Sequence, residues 1–489
     1  MITLTFAQKE NIGFQYVLDQ LQPNSPYGAQ RVRELGPLQP GDRPELTRQL
    51  SNIQRTLDGE DTCQKALRQM LRVFMTVKDI RPTVLKCRET ALNEIELFEV
   101  KCFLLRCGEI YPLFQEVQSV FQWEGVSLED TSPALDLLDP EGSRVASFFI
   151  GDNRSPLLRS LRKDKRELEE QIRRLPAGDQ REELQARRAR VAAEEELEEI
   201  RVRKELSAAL APHVPAMLHN MDMIGEIDLT VEKARLAKRY GGVMPTLTRH
   251  ALDMEDMVNP RLADLLRERN KSFTPVSIAL ERGAAVITGA NMGGKSVAMK
   301  TIALNVLLTH CGFFPFAKRA SCPLFDHMHI VSEDLESIDR GLSSFGGEIV
   351  RFNQVMRQLS DGFAFILLDE FARGTNPDEG AAIVQAVTRY LNGQNAITVL
   401  ATHYDNVVQW GSAHYQVIGL KELDVERLQK ELTNASDEMG MRLISQHMNY
   451  GLYRVEGRQD CPRDALNICR LLGMDPDIVK IIENIIDKP

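Results

Sequence analysis

The residues with the clearest chemical potential lie in residues 288–301, which read TGANMGGKSVAMKT. Within them, Gly289, Gly294, Lys295 and Ser296 have the spacing Gly-x-x-x-x-Gly-Lys-Ser. Glycines at such positions let successive backbone N–H groups turn toward phosphate oxygens, the lysine reaches the terminal phosphates, and the serine hydroxyl is a ligand for Mg²⁺. The spacing therefore predicts a loop that binds the phosphates of a nucleotide.

The elements on both sides of this loop support the same prediction. The apolar run at residues 284–287 leads directly into it and is typical of a buried strand. The residues after Ser296 have a helical pattern, and a helix starting there directs the positive end of its dipole at a bound anion. The alternative is a glycine-rich turn formed by chance, which would not require these flanking elements.

A second predicted strand carries two acids. Phe363 to Glu370 reads FAFILLDE, a continuous apolar run of the kind found in strands buried on both faces. At its end, Asp369 is predicted to belong to the coordination shell of Mg²⁺. Glu370 is predicted to orient or deprotonate the attacking water, as catalytic carboxylates do.

A third predicted strand runs from Ala396 to Ala401 and is followed by Thr402 and His403. A histidine at the carboxyl end of a strand, beside a phosphate site, can sense the terminal phosphate as a hydrogen-bond donor or acceptor. Taken alone, His403 is more typical of a structural residue. Its place after two matching elements favours the catalytic interpretation.

The chain resembles the MutS family of mismatch-repair ATPases. The family pattern TGPNMGGKST corresponds to TGANMGGKSV here, with Ala290 in place of proline. The signature S-[ST]-F followed by glutamate corresponds to residues 343–348, and DEIGRGT corresponds to residues 369–375, with Ala372 where glycine is usual. ATHY is matched at residues 401–404. Four motifs in the family's order make the resemblance specific.

This resemblance implies an ABC-type site that binds ATP and Mg²⁺. It implies a dimer in which Ser343 of one subunit closes on the nucleotide of the other. Phe273 is a candidate for stacking on adenine, although it could equally belong to the core. The catalytic residues would be Glu370 and His403, and the Mg²⁺ ligands Ser296 and Asp369. The ATP-binding residues, besides Phe273 and Ser343, would be Gly289, Ala290, Asn291, Met292, Gly293, Gly294, Lys295 and Ser296.

The expected fold class is α/β: an ABC-type P-loop ATPase domain preceded by an all-α core and lever domain with a short antiparallel helical hairpin. The expected boundaries are 1–250 for the helical domain, 251–425 for the ATPase domain, and 426–489 for a C-terminal segment with a helix-turn-helix dimerisation element. In the helical domain, Leu67, Leu71, Phe74 and Met75 recur at helical spacing and predict core positions.

The hairpin is expected at about residues 157–204. Leu161, Leu168 and Leu175 recur every seven residues, and residues 176–179 (PAGD) interrupt the pattern. Each arm would be roughly 28–36 Å long. The hairpin carries basic residues that could contact DNA phosphates, but interleaved acids equally favour a solvated coiled coil. The basic residues are Arg162, Lys163, Lys165, Arg166, Arg187, Arg188 and Arg190.

Composition narrows the classes of partner. The net charge is −10, whereas a protein that binds duplex DNA normally has a basic surface. No apolar run is long enough to cross a membrane, and the start of the chain lacks the basic and apolar regions of a signal peptide. The eight cysteines show no CxxC pairing, which favours reduced thiols in a cytoplasmic protein. The same absence of CxxC spacing disfavours a metal site formed by these cysteines.

Three functions are consistent with the sequence. The first is an ATPase that acts on DNA in mismatch repair or recombination, as a homodimer or as a heterodimer with a MutS-like paralogue. The second is a protein-remodelling ATPase, such as a reactivator of a cobalamin-dependent aminomutase. The third is a ribosome- or RNA-associated ATPase. By motif the chain is nearer the anti-recombination branch of the family, and we expect neither its Smr-type tail nor the mismatch-reading domain.

Overall fold

The computed structural model describes residues 2–289, 294–331, 344–419, 449–456, 469 and 474–486. The chain divides into two compact units. The helical unit comprises Gln22–Glu34 and Arg55–Glu232, and the mixed unit comprises Met1–Leu21, Leu35–Gln54 and Lys233–Pro489.

The described residues form the following helices and strands, numbered in chain order. The helices are α1 (Phe6–Ile12), α2 (Phe14–Asp19), α3 (Pro26–Arg33), α4 (Arg43–Phe74), α5 (Arg81–Lys86), α6 (Glu94–Phe121), α7 (Ser132–Leu138), α8 (Pro156–Arg174), α9 (Asp179–Leu210), α10 (Val214–Tyr240), α11 (Pro260–Glu268), α12 (Lys295–His310), α13 (Ser344–Gln358), α14 (Pro377–Asn392) and α15 (Pro476–Ile486). The strands are β1 (Thr246–Thr248), β2 (Leu252–Met257), β3 (Val276–Leu280), β4 (Gly283–Thr288), β5 (Arg319–Pro323), β6 (His327–Val331), β7 (Ala364–Asp369), β8 (Ala396–Ala401), β9 (Ala413–Gly419) and β10 (Asn449–Arg454).

A six-stranded sheet organises the mixed unit, in the order β10-β9-β4-β8-β7-β6. All neighbouring strands are parallel except β10, which runs antiparallel to β9. In the register, Ala401 pairs with Ile287 on one side and with Asp369 on the other. The carboxyl ends of β4, β8 and β7 therefore meet at one edge. A second sheet has the order β1-β5-β2-β3.

The three strands expected from apolar runs are present at the centre of the six-stranded sheet. Every residue of β4 and β8 is buried, and so are the first five residues of β7. Strands covered on both faces need side chains without polar groups in either direction, which explains why these segments are continuously apolar.

The division of the chain differs from the expected boundary at residue 250. The first 21 residues belong to the mixed unit, where Tyr16 Oη donates to Asp264 Oδ2 at 2.8 Å and Gln8 Nε2 donates to the carbonyl of Ile330 at 2.9 Å. Helical periodicity shows that a face is apolar, but not which core covers it. β10 likewise belongs to the mixed unit's sheet, although it lies in the segment expected to be separate.

The helical unit has one large apolar core built mainly from α4, α6, α9 and α10. Leu67, Leu71 and Phe74 are buried in it, but Met75 is 68 % exposed. The expectation for Met75 was wrong because α4 ends at Phe74 and the helical period does not continue past that residue.

A buried carboxylate fixes the start of α3 within the helical unit. Asp228 is fully buried and accepts hydrogen bonds from the backbone N–H and the hydroxyl of Ser25, both at 2.7 Å. A Cβ on Gly28 would lie 2.3 Å from Asp228 Oδ2, so only glycine fits where α3 passes this group.

The hairpin consists of α8 and α9. α8 begins after Ser155, whose hydroxyl accepts from the backbone N–H of Leu158, with Pro156 at the first helical position. Leu158, Leu161 and Leu168 are buried along the seam. The arms contain 19 and 32 residues, so the second arm continues beyond the expected end at residue 204.

The described residues do not meet the requirements of a membrane-spanning helix, a disulfide or a metal cluster. No helix among them has an apolar stretch long enough to span a bilayer. Their cysteines form no disulfide, and no group of three or more His, Cys, Asp and Glu side chains among them is arranged to hold a metal ion.

Candidate functional site

The predicted phosphate loop connects β4 to α12. Gly289 and Gly294 have φ values of +143° and +90°, which residues with a side chain rarely adopt. Ala290, Asn291, Met292 and Gly293 lie outside the described residues. α12 starts at Lys295, directly after Gly294, so the N-terminal end of a 16-residue helix faces the loop.

Lys295 is buried and turns back over the start of the loop. Its Nζ donates to the carbonyl of Gly289 at 2.8 Å and lies 3.4 Å from Glu370 Oε1. The side chain is only 2 % exposed, so its charge is held away from bulk solvent beside Gly289 and Glu370. A cation held there is suited to binding an anion.

Asp369 ends β7 beside this lysine. Its Oδ1 is shielded from solvent and has no hydrogen-bond partner in the part of the chain that the structure describes. Burial raises the pKa of Asp369, the hydrogen bond with the Ser296 side chain opposes this, and the charge of Glu370 raises it further. An ionised carboxylate with an unsatisfied oxygen is costly unless a ligand binds it.

The pair Ser296 and Asp369 fits the predicted Mg²⁺ ion. Both supply hard oxygen atoms, which Mg²⁺ prefers, and Mg²⁺ commonly uses only one or two protein groups together with phosphates. The unsatisfied Oδ1 of Asp369 is the observation that favours a cation at this position.

Replacing Asp369 with asparagine is therefore expected to stabilise the protein without nucleotide or metal, because the substitution removes a partly buried charge whose shielded Oδ1 has no partner among the described residues. A gain of roughly 1 kcal/mol is expected, which corresponds to about 1–2 °C in Tm for a chain of this size. Calorimetry in EDTA measures this. Asp326→Asn is the matched control: its carboxylate accepts from the backbone N–H of Phe363 at 2.8 Å, so no gain is expected. An unchanged or lowered Tm for Asp369→Asn would contradict the prediction.

Glu370 follows Asp369 in an unusual backbone conformation, with φ of +51°. Its N–H donates to the carbonyl of Ala401 at 3.0 Å, which anchors it to the neighbouring strand. Its Oε2 accepts from Arg373 Nη1 at 2.6 Å, while Oε1 faces Lys295. The carboxylate is thus held between two cations at the edge of the sheet.

Phe273 lies at this site. It lines a pocket of about 360 Å³ together with Lys295, Ser296 and Glu370. Three leucines of α11 complete the apolar part of the wall: Leu262, Leu265 and Leu266. An aromatic ring and aliphatic side chains next to a phosphate loop suit the base of a nucleotide.

His403 lies after the end of β8, whereas Ser343 is not among the described residues. His403 is exposed, and its ring lies against Tyr404 with 4.2 Å between the ring centroids. The preceding Thr402 is buried and its N–H donates to the carbonyl of Ile287, so the segment starts at the edge that carries the phosphate loop. Ser343 lies outside the described residues; α13 begins at the next residue, Ser344.

Sequence reasoning missed the residues that hold the loop after β7. Glu348 Oε2 accepts from the N–H of Ala372 at 2.8 Å, and Tyr404 Oη donates to the carbonyl of Ala372 at 3.3 Å. Arg373, which pairs with Glu370, was also not assigned a role. All three residues lie inside the quoted family motifs. That position was the only signal available, because a motif does not state which backbone atoms a side chain contacts.

The hairpin is the candidate contact with DNA phosphates, and five of its seven candidate basic residues form ion pairs. Arg162 pairs with Asp152 at 2.8 Å, Glu195 at 3.0 Å and Glu199 at 2.7 Å. Burial lowers the pKa of Arg162, but the side-chain hydrogen bonds with these three acids together raise it above its ordinary value. Four other candidate residues form the pairs Lys163–Glu167, Lys165–Glu195, Arg166–Asp152 and Arg188–Glu169. Outside the candidate set, Arg174 pairs with Glu170, and Arg201 pairs with Glu198 and Glu205.

Arg187 and Arg190 are exposed and line a groove of about 610 Å³ between the arms near the tip, together with Arg174. They are the residues of the hairpin best placed to meet an anion from solution. The structure therefore favours the interpretation of a solvated coiled coil for the basic cluster around Arg162, and leaves the tip as the basic surface.

Comparison with known proteins gives consistent similarities. Residues 285–465 match the family model of MutS domain V. The chain is 32% identical over 236 residues to the endonuclease MutS2 of a Geobacillus species, which covers 46% of this chain and 28% of that protein. It is 31% identical over 281 residues to the endonuclease MutS2 of Shouchella clausii, covering 57% and 32%. It is 29% identical over 285 residues to that of Enterococcus faecalis, covering 58% and 33%. The matched regions span about a third of the length of these relatives.

Proposed function

The chain belongs to the MutS family, and on that premise we propose that it binds Mg²⁺-ATP at the edge formed by β4, β8 and β7 and hydrolyses it. The observation that carries the proposal is the convergence of Lys295, Asp369 and Glu370 at that edge, with Nζ of the lysine 3.4 Å from Glu370 Oε1. The adenine base would lie against Phe273 and the leucines of α11.

The positions of the described residues support the following proposed roles. Lys295 binds the terminal phosphates, Ser296 and Asp369 hold Mg²⁺, and Glu370 orients the attacking water. The ion supplies electrostatic stabilisation of the charge on the phosphate oxygens. His403, at the end of β8, acts as the sensor of the terminal phosphate. Gly289 to Gly294 surround the phosphates with backbone N–H groups.

A dimer is part of the proposal, either of two copies or with a MutS-like paralogue. In an ABC-type arrangement Ser343 would complete the partner's site. The apolar face of α15 supports an interface at the C-terminal element, because Ile478, Ile481 and Ile485 lie at helical spacing and are each at least half exposed. A cytoplasmic location is supported by the unpaired cysteines among the described residues.

Double-stranded DNA is the partner that we propose for this ATPase. The support comes from the family and from the name of the relatives, endonuclease MutS2. The opposing observation is that five of the seven candidate basic residues of the hairpin are already paired with acids. DNA contact is therefore expected at Arg187 and Arg190, near the tip, and not at Arg162.

The DNA proposal predicts different outcomes for two variants. Arg187→Ser with Arg190→Ser should weaken binding to duplex and branched DNA and reduce the log–log salt slope by about 1.8, two contacts at about 0.9 each. Basal ATPase activity should not change. Arg162→Ser should lower Tm, because the substitution removes the ion pairs of Arg162 with three carboxylates, of which Asp152 and Glu195 keep Arg166 and Lys165 as partners. Fluorescence anisotropy between 50 and 200 mM salt measures the slope.

Wild-type protein with no DNA affinity tighter than about 10⁻⁴ M, the weak end of non-specific binding, would contradict the proposal. In that case the ion-paired hairpin favours a protein client, and the remodelling function becomes the better explanation. ATPase rates measured with duplex DNA, branched DNA, RNA and candidate proteins distinguish these partners, since the true partner should change the rate.

A further inference from the structure

The backbone of Ala372 is held from two sides. Its N–H donates to Glu348 on α13 at 2.8 Å, and its carbonyl accepts from Tyr404 Oη, after β8, at 3.3 Å. We call these three residues the Ala372 clamp. Through it, two separate elements hold the short loop that follows β7.

The clamp holds a backbone that the residues themselves disfavour. Glu370 has φ of +51° and Ala372 has φ of +62°, a region that non-glycine residues rarely adopt. Such conformations cost free energy and persist only where the surrounding structure maintains them. Glu348 is 5 % exposed, and a hydrogen bond from a backbone N–H to a buried carboxylate is among the stronger ones that proteins form.

The packing around the clamp leaves little room for another arrangement. A Cβ on Gly380, near the start of α14, would lie 2.3 Å from Tyr404 Oη and 2.9 Å from the carbonyl of Ala372. The clamp is therefore enclosed by α14 as well as by α13. A shift of the Ala372 backbone would need to displace one of these elements.

The direction of the Glu370 carboxylate depends on this loop, because Glu370 lies two residues before Ala372. We infer that Glu348 is a positioning residue for Glu370: by holding the N–H of Ala372, it keeps the loop in the conformation that presents Glu370 beside Lys295. The inference rests on the proposed function, in which Glu370 orients the attacking water. Glu348 itself acts only through the backbone.

The test compares Glu348→Ala with Glu348→Gln in steady-state ATP hydrolysis. The alanine variant should lower kcat between about tenfold and a hundredfold, as expected for a displaced catalytic group, while KM and ATP affinity stay within about twofold of wild type because the phosphate loop is not touched. The glutamine variant retains an oxygen acceptor at the same reach and should restore most of kcat.

A control separates positioning from general stability. Asp326→Ala removes a carboxylate that accepts from the N–H of Phe363, just before the opposite end of β7. It should lower Tm without changing kcat. Tyr404→Phe removes the other hydrogen bond of the clamp and should lower kcat by less than Glu348→Ala. The fold-decrease of kcat in the variant that combines Glu348→Ala with Tyr404→Phe should be smaller than the product of the two single fold-decreases, because both substitutions act on one loop.

Equal kcat in wild type and Glu348→Ala would overturn the inference, and so would a loss of kcat that Asp326→Ala reproduces. If Glu348→Ala does not fold, Tyr404→Phe decides, since unchanged kcat in that variant contradicts the clamp. Absence of ATP hydrolysis in wild-type protein would instead overturn the proposed function, so the two failures are distinguishable.

Discussion

Replacing Lys295 with alanine is expected to weaken Mg²⁺-ATP binding by about 2–5 kcal/mol, the usual cost of removing one partner of a buried charge pair. This corresponds to roughly a 30-fold or greater increase in Kd. The fold should remain intact. Glu370, which faces the lysine, keeps a second cation because Arg373 Nη1 lies 2.6 Å from its other oxygen.

Titration with a fluorescent ATP analogue measures the loss, and thermal unfolding shows whether the variant is folded. Lys318→Ala is the matched control, because that lysine is exposed and pairs with Glu255 away from the loop. It should bind ATP as wild type does. ATP binding and hydrolysis at wild-type levels in Lys295→Ala would contradict the assignment of the phosphate loop.

Replacing Glu370 with glutamine is expected to preserve ATP binding and to slow hydrolysis by roughly 10²–10⁴-fold, the range for a general base. The substitution keeps the shape of the side chain but removes the charge that orients and activates water. ATP should then remain bound in the closed dimer, so light scattering with ATP should show a larger dimer fraction than in wild type. Single-turnover measurements separate this effect from slow product release.

Glu379→Gln makes the same chemical change at an exposed position in the first turn of α14, so its activity should equal that of wild type. If Glu370→Gln hydrolyses ATP at the wild-type rate, or fails to bind ATP, the role given to Glu370 is contradicted. Comparison with Asp369→Asn distinguishes the two acids, because only the latter is expected to raise the Tm of the metal-free protein.

The central strands could be predicted from the sequence because they are buried on both faces. β4, β7 and β8 appear as continuous apolar runs, and the polar residues that follow them indicate the edge where a site can form. Parallel strands bring such residues together whatever their distance along the chain. For the same reason Lys295 and Glu370 could be assigned to one site from their motifs.

Tertiary hydrogen bonds could not be predicted in this way. Ala372 occupies a position where the family usually has glycine, and its φ of +62° explains that preference. Nothing in the sequence indicates that Glu348 and Tyr404 hold this residue. The hairpin was ambiguous for a similar reason: composition shows acids and bases in equal density, whereas only the structure shows Arg162 between three carboxylates.

The central position of β8 has a consequence for local stability. Each of its residues is buried, and the strand is hydrogen-bonded on both sides, by β4 and by β7. Amide hydrogens in such a strand exchange with solvent only through global unfolding, whereas those of exposed loops exchange through small local openings. Glu370 donates its own N–H to the last residue of β8. We therefore expect the backbone that carries this carboxylate to be anchored to one of the most slowly exchanging segments among the described residues of the mixed unit.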